Sequence, residues 1–258
     1  MNTLSDGKNM AQFSNQSVLI TGASGGLGRQ LAIDFAKRGA KVALNYANSR
    51  DKAKGVASMI RDGGGEALVI GADISQSRDV NKMVETVESA FGGIDILINN
   101  AGLSQDAPFL DISEEAWDRV CDVNLKGPFL VSQAVGRLMV AARQGRIVNI
   151  SATSAIVART GNANYAASKA GLNMLTQVMA LELGPCVTVN AVALGFVDSD
   201  LLRALFSAND IEQIELSLPL ERLTTFEETS AFVQMLASGT ASYVTGQIIP
   251  FDGGRVMR

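Results

Sequence analysis

Tyr165 stands four residues before Lys169 in the stretch NYAASKAG, and the chain holds no histidine. On a helix, positions four apart share one face, so a phenol and an ammonium would project into the same space. An unperturbed tyrosine titrates at about pH 10, too high for ready proton donation at neutrality. A neighbouring cation favours the phenolate, so Lys169 is expected to lower the Tyr165 pKa and fit it for general acid or base work. The same spacing also arises from an unrelated pair on a surface helix. The residues elsewhere in the chain decide between the two.

A second constellation is TGASGGLG, residues 21–28, directly after the apolar run SVLIT. Gly22, Gly26 and Gly28 let a backbone turn tightly and bring its N–H groups, with Ser24 and Leu27 among them, close to a phosphate. The helix that starts there adds its partial positive charge. Glycine loops also serve as plain strand-to-helix turns, but this one follows the first strand and opens a helix, the context of a dinucleotide site. An acid about 20 residues further on would grip the ribose of NAD. The stretch NYANSR, 45–50, has no acid before Asp51, and Asn45, Ser49 and Arg50 could hold a 2′-phosphate instead. That favours NADP(H).

These residues need a frame. Short apolar runs recur at 17–21, 41–46, 66–72, 94–99, 145–151, 187–193 and 246–251, each of strand length. Between them lie amphipathic segments such as LGRQLAIDFAKRG, with apolar residues at 27, 31, 32, 35 and 36, and DVNKMVETVESAFGG. The alternation predicts an α/β fold, a Rossmann-type doubly wound parallel sheet in a single domain. Residues 1–14 read as a flexible arm and 15–258 as the domain. Residues 196–225 interrupt the alternation with two short helices, a substrate-covering insertion over the carboxyl edge of the sheet, where ligands bind in such folds.

The 258 residues are 47% hydrophobic and only 5% aromatic, as expected of a parallel sheet filled by aliphatic side chains. A net charge of −4 without a basic cluster speaks against nucleic acid and anionic membrane. Cys121 and Cys186 lack metal-ligand spacing and read as reduced thiols, so the metal expectation is none and the location cytoplasmic. No apolar run is long enough to span a bilayer.

The chain resembles the short-chain dehydrogenase/reductase family over about residues 14–254. The resemblance rests on TGASGGLG at 21–28, ADIS at 72–75, NNAG at 99–102, VNLKGPF at 123–129, YAASK at 165–169, GFVDSD at 195–200 and VTGQIIPFDGG at 244–254. It is nearest to reductases of 3-oxoacyl-carrier-protein thioesters. The resemblance implies that Asp73 and Ile74 flank an adenine and that Asn100, Ala101 and Gly102 line the cofactor cleft. Gly195, Phe196, Val197 and Ser199 would meet the nicotinamide. Tyr165 would be the proton donor, and Lys169 would also hold the nicotinamide ribose. Asn124 would either hold a water that links Lys169 to solvent or serve as a kink or cap. Long helices at about 113–142 and 162–183 would pair between subunits of a homotetramer or homodimer. Met139, Leu175, Val178 and Met179 on them are equally explained as core residues.

Two positions depart from the family pattern. A serine that polarises the substrate carbonyl is expected thirteen residues before the tyrosine, where Ala152 stands; Ser151 and Thr153 are the adjacent hydroxyls, and Ser154 follows. Leu194 stands where a proline usually precedes the glycine, and is expected to loosen that loop or open space for substrate. The leading reading is NADPH-dependent reduction of a ketone, either a β-ketoacyl thioester or a specialised-metabolite carbonyl. A dinucleotide-binding protein with altered or lost turnover, and a non-redox isomerase or dehydratase, remain as alternatives because of Ala152. Arg143 resembles a residue that meets an acidic carrier protein, whereas its companion near 184–186 is missing. Leu201, Leu202, Leu205, Phe206, Ile211, Ile214, Leu216 and Leu218 would form a satellite core under a lid, or an apolar roof over the substrate.

Overall fold

The computed structural model describes residues 12–257. Strands β1 (Ser17–Ile20), β2 (Lys41–Tyr46), β3 (Glu66–Gly71), β4 (Ile96–Asn99), β5 (Gly145–Ala152), β6 (Val187–Leu194) and β7 (Ile248–Phe251) form one parallel sheet. Their order is β3-β2-β1-β4-β5-β6-β7. Each expected apolar run became a strand, because a strand covered on both faces has no use for alternating polar residues. The helices are α1 (Gly26–Lys37), α2 (Arg50–Asp62), α3 (Ser77–Phe91), α4 (Glu114–Cys121), α5 (Gly127–Ala141), α6 (Ala163–Leu183), α7 (Asp200–Leu205), α8 (Ala208–Leu216) and α9 (Phe226–Leu236).

Successive strand residues face opposite layers. Ile20, Ile98 and Val148 pack with Leu31 and Phe35 of α1, Ile60 of α2 and Val233 of α9. Leu19, Leu97 and Ile147 pack on the other side with Met83 of α3, Val135 and Met139 of α5 and Met179 of α6. Each fully buried side chain of this size contributes about 1.5–3 kcal/mol over its exposed state. Met139 and Met179 are thus core, while Val178 is 40% exposed on the outer face of α6.

The chain turns back on itself between β1 and β4, which leaves a crevice over their carboxyl ends. A buried polar chain braces that end of the sheet. Asn99 Nδ2 donates to Asn149 Oδ1 (2.8 Å) and Ser132 Oγ (2.9 Å), and Asn149 Nδ2 donates to Thr176 Oγ1 (2.8 Å).

Two expectations are corrected and one is refined. Residues 1–11 of the anticipated arm lie outside the described residues, but the arm does not extend to residue 14. Phe13 is fully buried, packs its ring tilted at 55° and 4.8 Å from that of Phe35 and donates its N–H to the Arg38 carbonyl. The helix expected at 113–142 forms, running from Glu114 to Ala141 without a break, but it carries a π-helical turn, Asp122–Lys126, between α4 and α5 that the sequence did not announce. Such turns re-aim a side chain within a helix, and here Asn124 lies in it, fully buried. Leu194 does not loosen its loop, because β6 runs through it in register with Ala152 and Phe251, and the N–H of Gly195 donates to the Phe251 carbonyl.

The 196–225 insertion folds as two short helices, α7 and α8, closed by a bridge between Val197 and Thr224. Ile211, Leu218 and Leu223 form its own small core, with Phe196, Leu202, Phe206 and Ile214 packed against it.

Candidate active site

Between β1 and α1 the backbone reaches the left-handed region at Gly22 (φ 65°) and Gly26 (φ 52°). A side chain at Gly22 would lie 2.9 Å from the Ala101 Cα, and one at Gly28 would lie 2.6 Å from Asn100 Nδ2. The loop therefore approaches the 100–102 segment closely and is clamped to it. Asn100 Nδ2 donates to the carbonyls of Thr21 (3.0 Å) and Gly22 (3.2 Å), and Thr21 Oγ1 accepts from the N–H groups of Asn100 and Ala101. Gly25 caps α1 without a side chain, and the first turn carries no acid, so the helix amides are left for an anion. Ser24 is half-buried at the loop, whereas the Leu27 side chain belongs to the core and offers only backbone.

At the end of β2, Asn45 is buried and already committed. Its Oδ1 accepts from the Gly22 N–H (3.3 Å), and its Nδ2 donates to the Ala72 carbonyl (3.0 Å). It braces the glycine loop, so a 2′-phosphate would fall to Ser49 and exposed Arg50, which open α2. At the end of β3, Asp73 accepts from the Ser75 hydroxyl (2.7 Å) and backbone (3.0 Å) and lies 3.6 Å from Arg119. Partial burial acts to raise its pKa, but these partners outweigh it and hold the carboxyl below its usual range. Ile74 is buried against Gly127, where a Cβ would meet its Cδ1 at 2.6 Å, so its side chain serves the core and not a ring.

Tyr165 and Lys169 lie on the first turns of α6. Lys169 is 4% exposed, and its Nζ donates to the Ile150 carbonyl (2.7 Å). A side chain on Gly102 would meet Asn124 Oδ1 at 3.3 Å and Lys169 Nζ at 3.5 Å, so the three converge. Burial pushes the Lys169 pKa down to about 8. Tyr165 runs against the sequence expectation. Burial of the phenol pushes its pKa up to about 12; the Asp106 carboxylate adds to that and Arg159 opposes it. The Lys169 ammonium lies 5.8 Å from the tyrosine ring centroid and donates to the Ile150 carbonyl, and burial of the phenol is the dominant effect.

Asn124 acts here through its amide. Oδ1 accepts from the Leu103 N–H and Nδ2 donates to the Leu103 carbonyl, each at 2.9 Å, and Nδ2 also reaches Ser168 Oγ (3.2 Å). The loop after β4 is thereby fixed to the tyrosine helix. Asn164 fixes its far end, with Nδ2 donating to the Gln105 carbonyl (3.1 Å) and Oδ1 accepting from the Tyr165 N–H (2.7 Å).

Tyr165 faces a cavity of about 520 Å³ whose wall includes Ile150, Ala152, Leu194, Phe196, Val197, Leu202 and Phe206, with Gly195 and Ser199 at its edge. Ser199 Oγ accepts from the Leu202 N–H and caps α7. Gly195 admits no side chain, since a Cβ would lie 2.7 Å from that of Asp252. The Ala152 methyl lies on the wall as counted from the sequence. The Ser151 hydroxyl is spent on Asn173 Oδ1 (2.6 Å). Thr153 and Ser154 remain, and the Ser154 hydroxyl is buried without a hydrogen-bond partner. Asn162, which sequence reasoning missed, is 1% exposed on the same wall. It occupies the N-cap position of α6 without capping it, and its Oδ1 has no partner. An asparagine just before a helix reads as a cap, which hid it.

A family model described as enoyl-(acyl carrier protein) reductase matches residues 22–255. The chain is 41% identical over 245 residues to the 3-oxoacyl-[acyl-carrier-protein] reductase FabG of Staphylococcus epidermidis, covering 94% of this chain and all of that protein. It is 39% identical over 250 residues to a 3-oxoacyl-[acyl-carrier-protein] reductase of Synechocystis, covering 96% of this chain and all of the relative. Among solved structures, a short-chain type dehydrogenase/reductase from Mycobacterium marinum superposes with a TM-score of 0.90 at 35% identity, over 97% of this chain and 99% of that one.

Proposed function

The chain belongs to the short-chain dehydrogenase/reductase family, and on that premise we propose that it reduces a ketone to a secondary alcohol with NADPH. The substrate class we favour is a 3-oxoacyl thioester or a specialised-metabolite carbonyl of similar bulk. One observation carries the reading. Tyr165 borders the apolar cavity while Lys169, one turn on, reaches the Gly102 side of the crevice, so one helix serves both halves of a hydride transfer.

The cradle suits a dinucleotide: a Cβ would fill it at Gly22 or Gly28, and the first turn of α1 carries no acid. The glycine loop would hold the pyrophosphate, Ser49 and Arg50 the 2′-phosphate, and Asp73 a place at the adenine end. Asn100, Ala101 and Gly102 would form the floor, and Lys169 would hold a ribose hydroxyl. Gly195, Phe196, Val197 and Ser199 would border the nicotinamide. NADPH, when bound, supplies the hydride.

Tyr165 then delivers its phenolic proton to the carbonyl oxygen. A pKa of about 12 leaves it protonated at working pH, as a proton donor needs. An alkoxide is a stronger base than a phenolate, so the transfer is downhill. Thr153, Ser154 or Asn162 would supply the hydrogen bond that Ala152 cannot, and Asn124 positions the Leu103 loop and the helix.

The reading extends to assembly and setting. Phe129, Val140 and Val178 are exposed on α5 and α6, which supports pairing of these helices in a homodimer or homotetramer. Among the described residues no helix is long and apolar enough to cross a membrane, which is consistent with a cytoplasmic enzyme. Exposed Arg143 would be one contact for an acyl-carrier protein.

The test is NADPH consumption with 3-oxoacyl thioesters, enoyl thioesters and aromatic ketones. Turnover of the ketones, lost in Tyr165→Phe, supports the reading. Turnover of enoyl thioesters alone would move the reaction to a carbon–carbon double bond. Tight NADPH binding with no turnover would favour the dinucleotide-binding alternative that Ala152 raises.

A further inference from the structure

The last turn of the chain places a second arginine on the wall of the cavity. Two cationic side chains line it, Arg159 and Arg255. Arg159 is neutralised by Asp106 at 2.6 Å, and Asp106 also accepts from the Ser104 hydroxyl. Arg255 is different. Its guanidinium lies 4.9 Å from the centroid of the Phe196 ring, and among the described residues no carboxylate or carbonyl takes its hydrogen bonds.

The nearest acid in sequence, Asp252, is committed elsewhere. Its Oδ1 accepts from the Gly254 N–H (3.0 Å) and its Oδ2 from the Val256 N–H (2.9 Å), the two amides that flank Arg255. The turn between them uses left-handed residues at Gly253 (φ 67°) and Gly254 (φ 90°). Asp252 is itself packed against Gly195, so the turn is anchored to the cavity edge and not to a loose tail. The carboxylate thus fixes the backbone that carries the arginine and leaves the arginine's charge uncompensated. A half-buried guanidinium stacked on an aromatic face keeps its donor edge for a planar oxyanion.

We propose that Arg255 selects a ketone carrying an oxyanion, a carboxylate or a phosphate, and that this anion docks on the guanidinium while the carbonyl meets Tyr165. The proposal rests on the reading of this cavity as the ketone site. Apolar walls between the two polar ends suit a hydrocarbon segment between carbonyl and anion. The anion has two sources, a free keto acid or the phosphate of a pantetheine arm, and the recognition chemistry is shared.

The test uses matched pairs with wild type, Arg255→Met and Arg255→Lys. Benzoylacetate against its ethyl ester probes the carboxylate. Acetoacetyl-CoA against acetoacetyl-N-acetylcysteamine probes the phosphate. Wild type is expected to favour the charged member of one pair by about 10- to 100-fold in kcat/KM, chiefly through KM. Arg255→Met, which keeps the stem on Phe196, should lose that preference and retain the rate on the neutral member; Arg255→Lys should keep part of it. The pair that responds identifies the source. A wild type without preference in either pair, or a preference that survives in Arg255→Met, overturns the proposal. Calorimetric binding of the corresponding hydroxy acid and its ethyl ester reads the same discrimination without turnover. If no ketone is reduced but the acid still binds through Arg255, the reductase reading fails and the anion subsite at Arg255 stands without it.

Discussion

Lys169 is a charge the fold would be more stable without, and replacing it by methionine tests whether its ammonium is as dry as its surroundings indicate. Methionine keeps the apolar stem and removes the ammonium. In the native protein burial brings the lysine pKa from 10.5 down to about 8, whereas the unfolded chain keeps the ordinary value. Holding the protonated lysine at neutral pH therefore costs roughly 3 kcal/mol. The variant gives up one hydrogen bond, to the Ile150 carbonyl, worth about 1 kcal/mol. The net expectation is a protein about 2 kcal/mol more stable at pH 7 and inactive as a reductase.

The pH dependence is the sharper readout. Between about pH 8 and 10.5 the unfolded chain holds a proton at Lys169 that the native protein has released, so wild-type stability rises with pH through that window. Urea melts at about pH 7 and about pH 9.5 should show wild type gaining roughly 2 kcal/mol on the variant. Tyr165 acts with the opposite sign. Its raised pKa of about 12 takes stability away only as pH climbs above its ordinary value of 10.0, beyond the pH of either melt. Parallel pH curves for the two proteins, with no gain in stability at pH 7, would mean that the ammonium reaches water and that the burial argument is wrong.

Three further outcomes follow from the same geometry. Tyr165→Phe should lower kcat by at least about 10²-fold with NADPH affinity within about threefold, read by steady-state kinetics and fluorescence titration. Among Thr153→Val, Ser154→Ala and Asn162→Ala, the change that removes the carbonyl's hydrogen-bond donor should cost about 10²–10³ in kcat. Adding Ala152→Ser to that variant should restore much of the loss, and failure of all three to slow the enzyme would mean that Tyr165 acts without a partner. Asn149→Leu breaks the chain from Asn99 to Thr176 and should destabilise the fold by about 1–3 kcal/mol in urea melts, since two buried groups each lose one of two partners.

The parts of this fold that sequence makes legible are those set by local pattern. Seven apolar runs became seven strands because burial on both faces leaves a signature within each strand. Gly22 and Gly26 were legible because a left-handed turn selects glycine at the position itself. Residues whose role depends on tertiary neighbours were not. Asn45, next to the expected phosphate site, is taken up by Gly22 and Ala72; Ser151, next to the missing hydroxyl, is taken up by Asn173. No spacing rule reports which of several nearby polar groups is already occupied. Phe13 sat in a polar run and looked like part of an arm, yet one aromatic residue against Phe35 is enough to bring that segment into the core.

The tyrosine–lysine pair is the instructive case. The spacing correctly put both residues on one helix face, and from it the pairing of charges looked like the dominant effect on the phenol. Proximity in sequence fixes neither direction nor solvent. In the fold, Lys169 spends its ammonium on the Ile150 carbonyl, while Tyr165 is half-buried on the cavity wall with the Asp106–Arg159 pair on the same wall. Desolvation then outweighs attraction, and the phenol becomes a weaker acid. In the role proposed for it, Tyr165 would hold its proton until an alkoxide formed beside it. A phenol that stays protonated at neutral pH suits the donor role proposed for Tyr165, and its burial is a tertiary effect that the motif by itself does not contain.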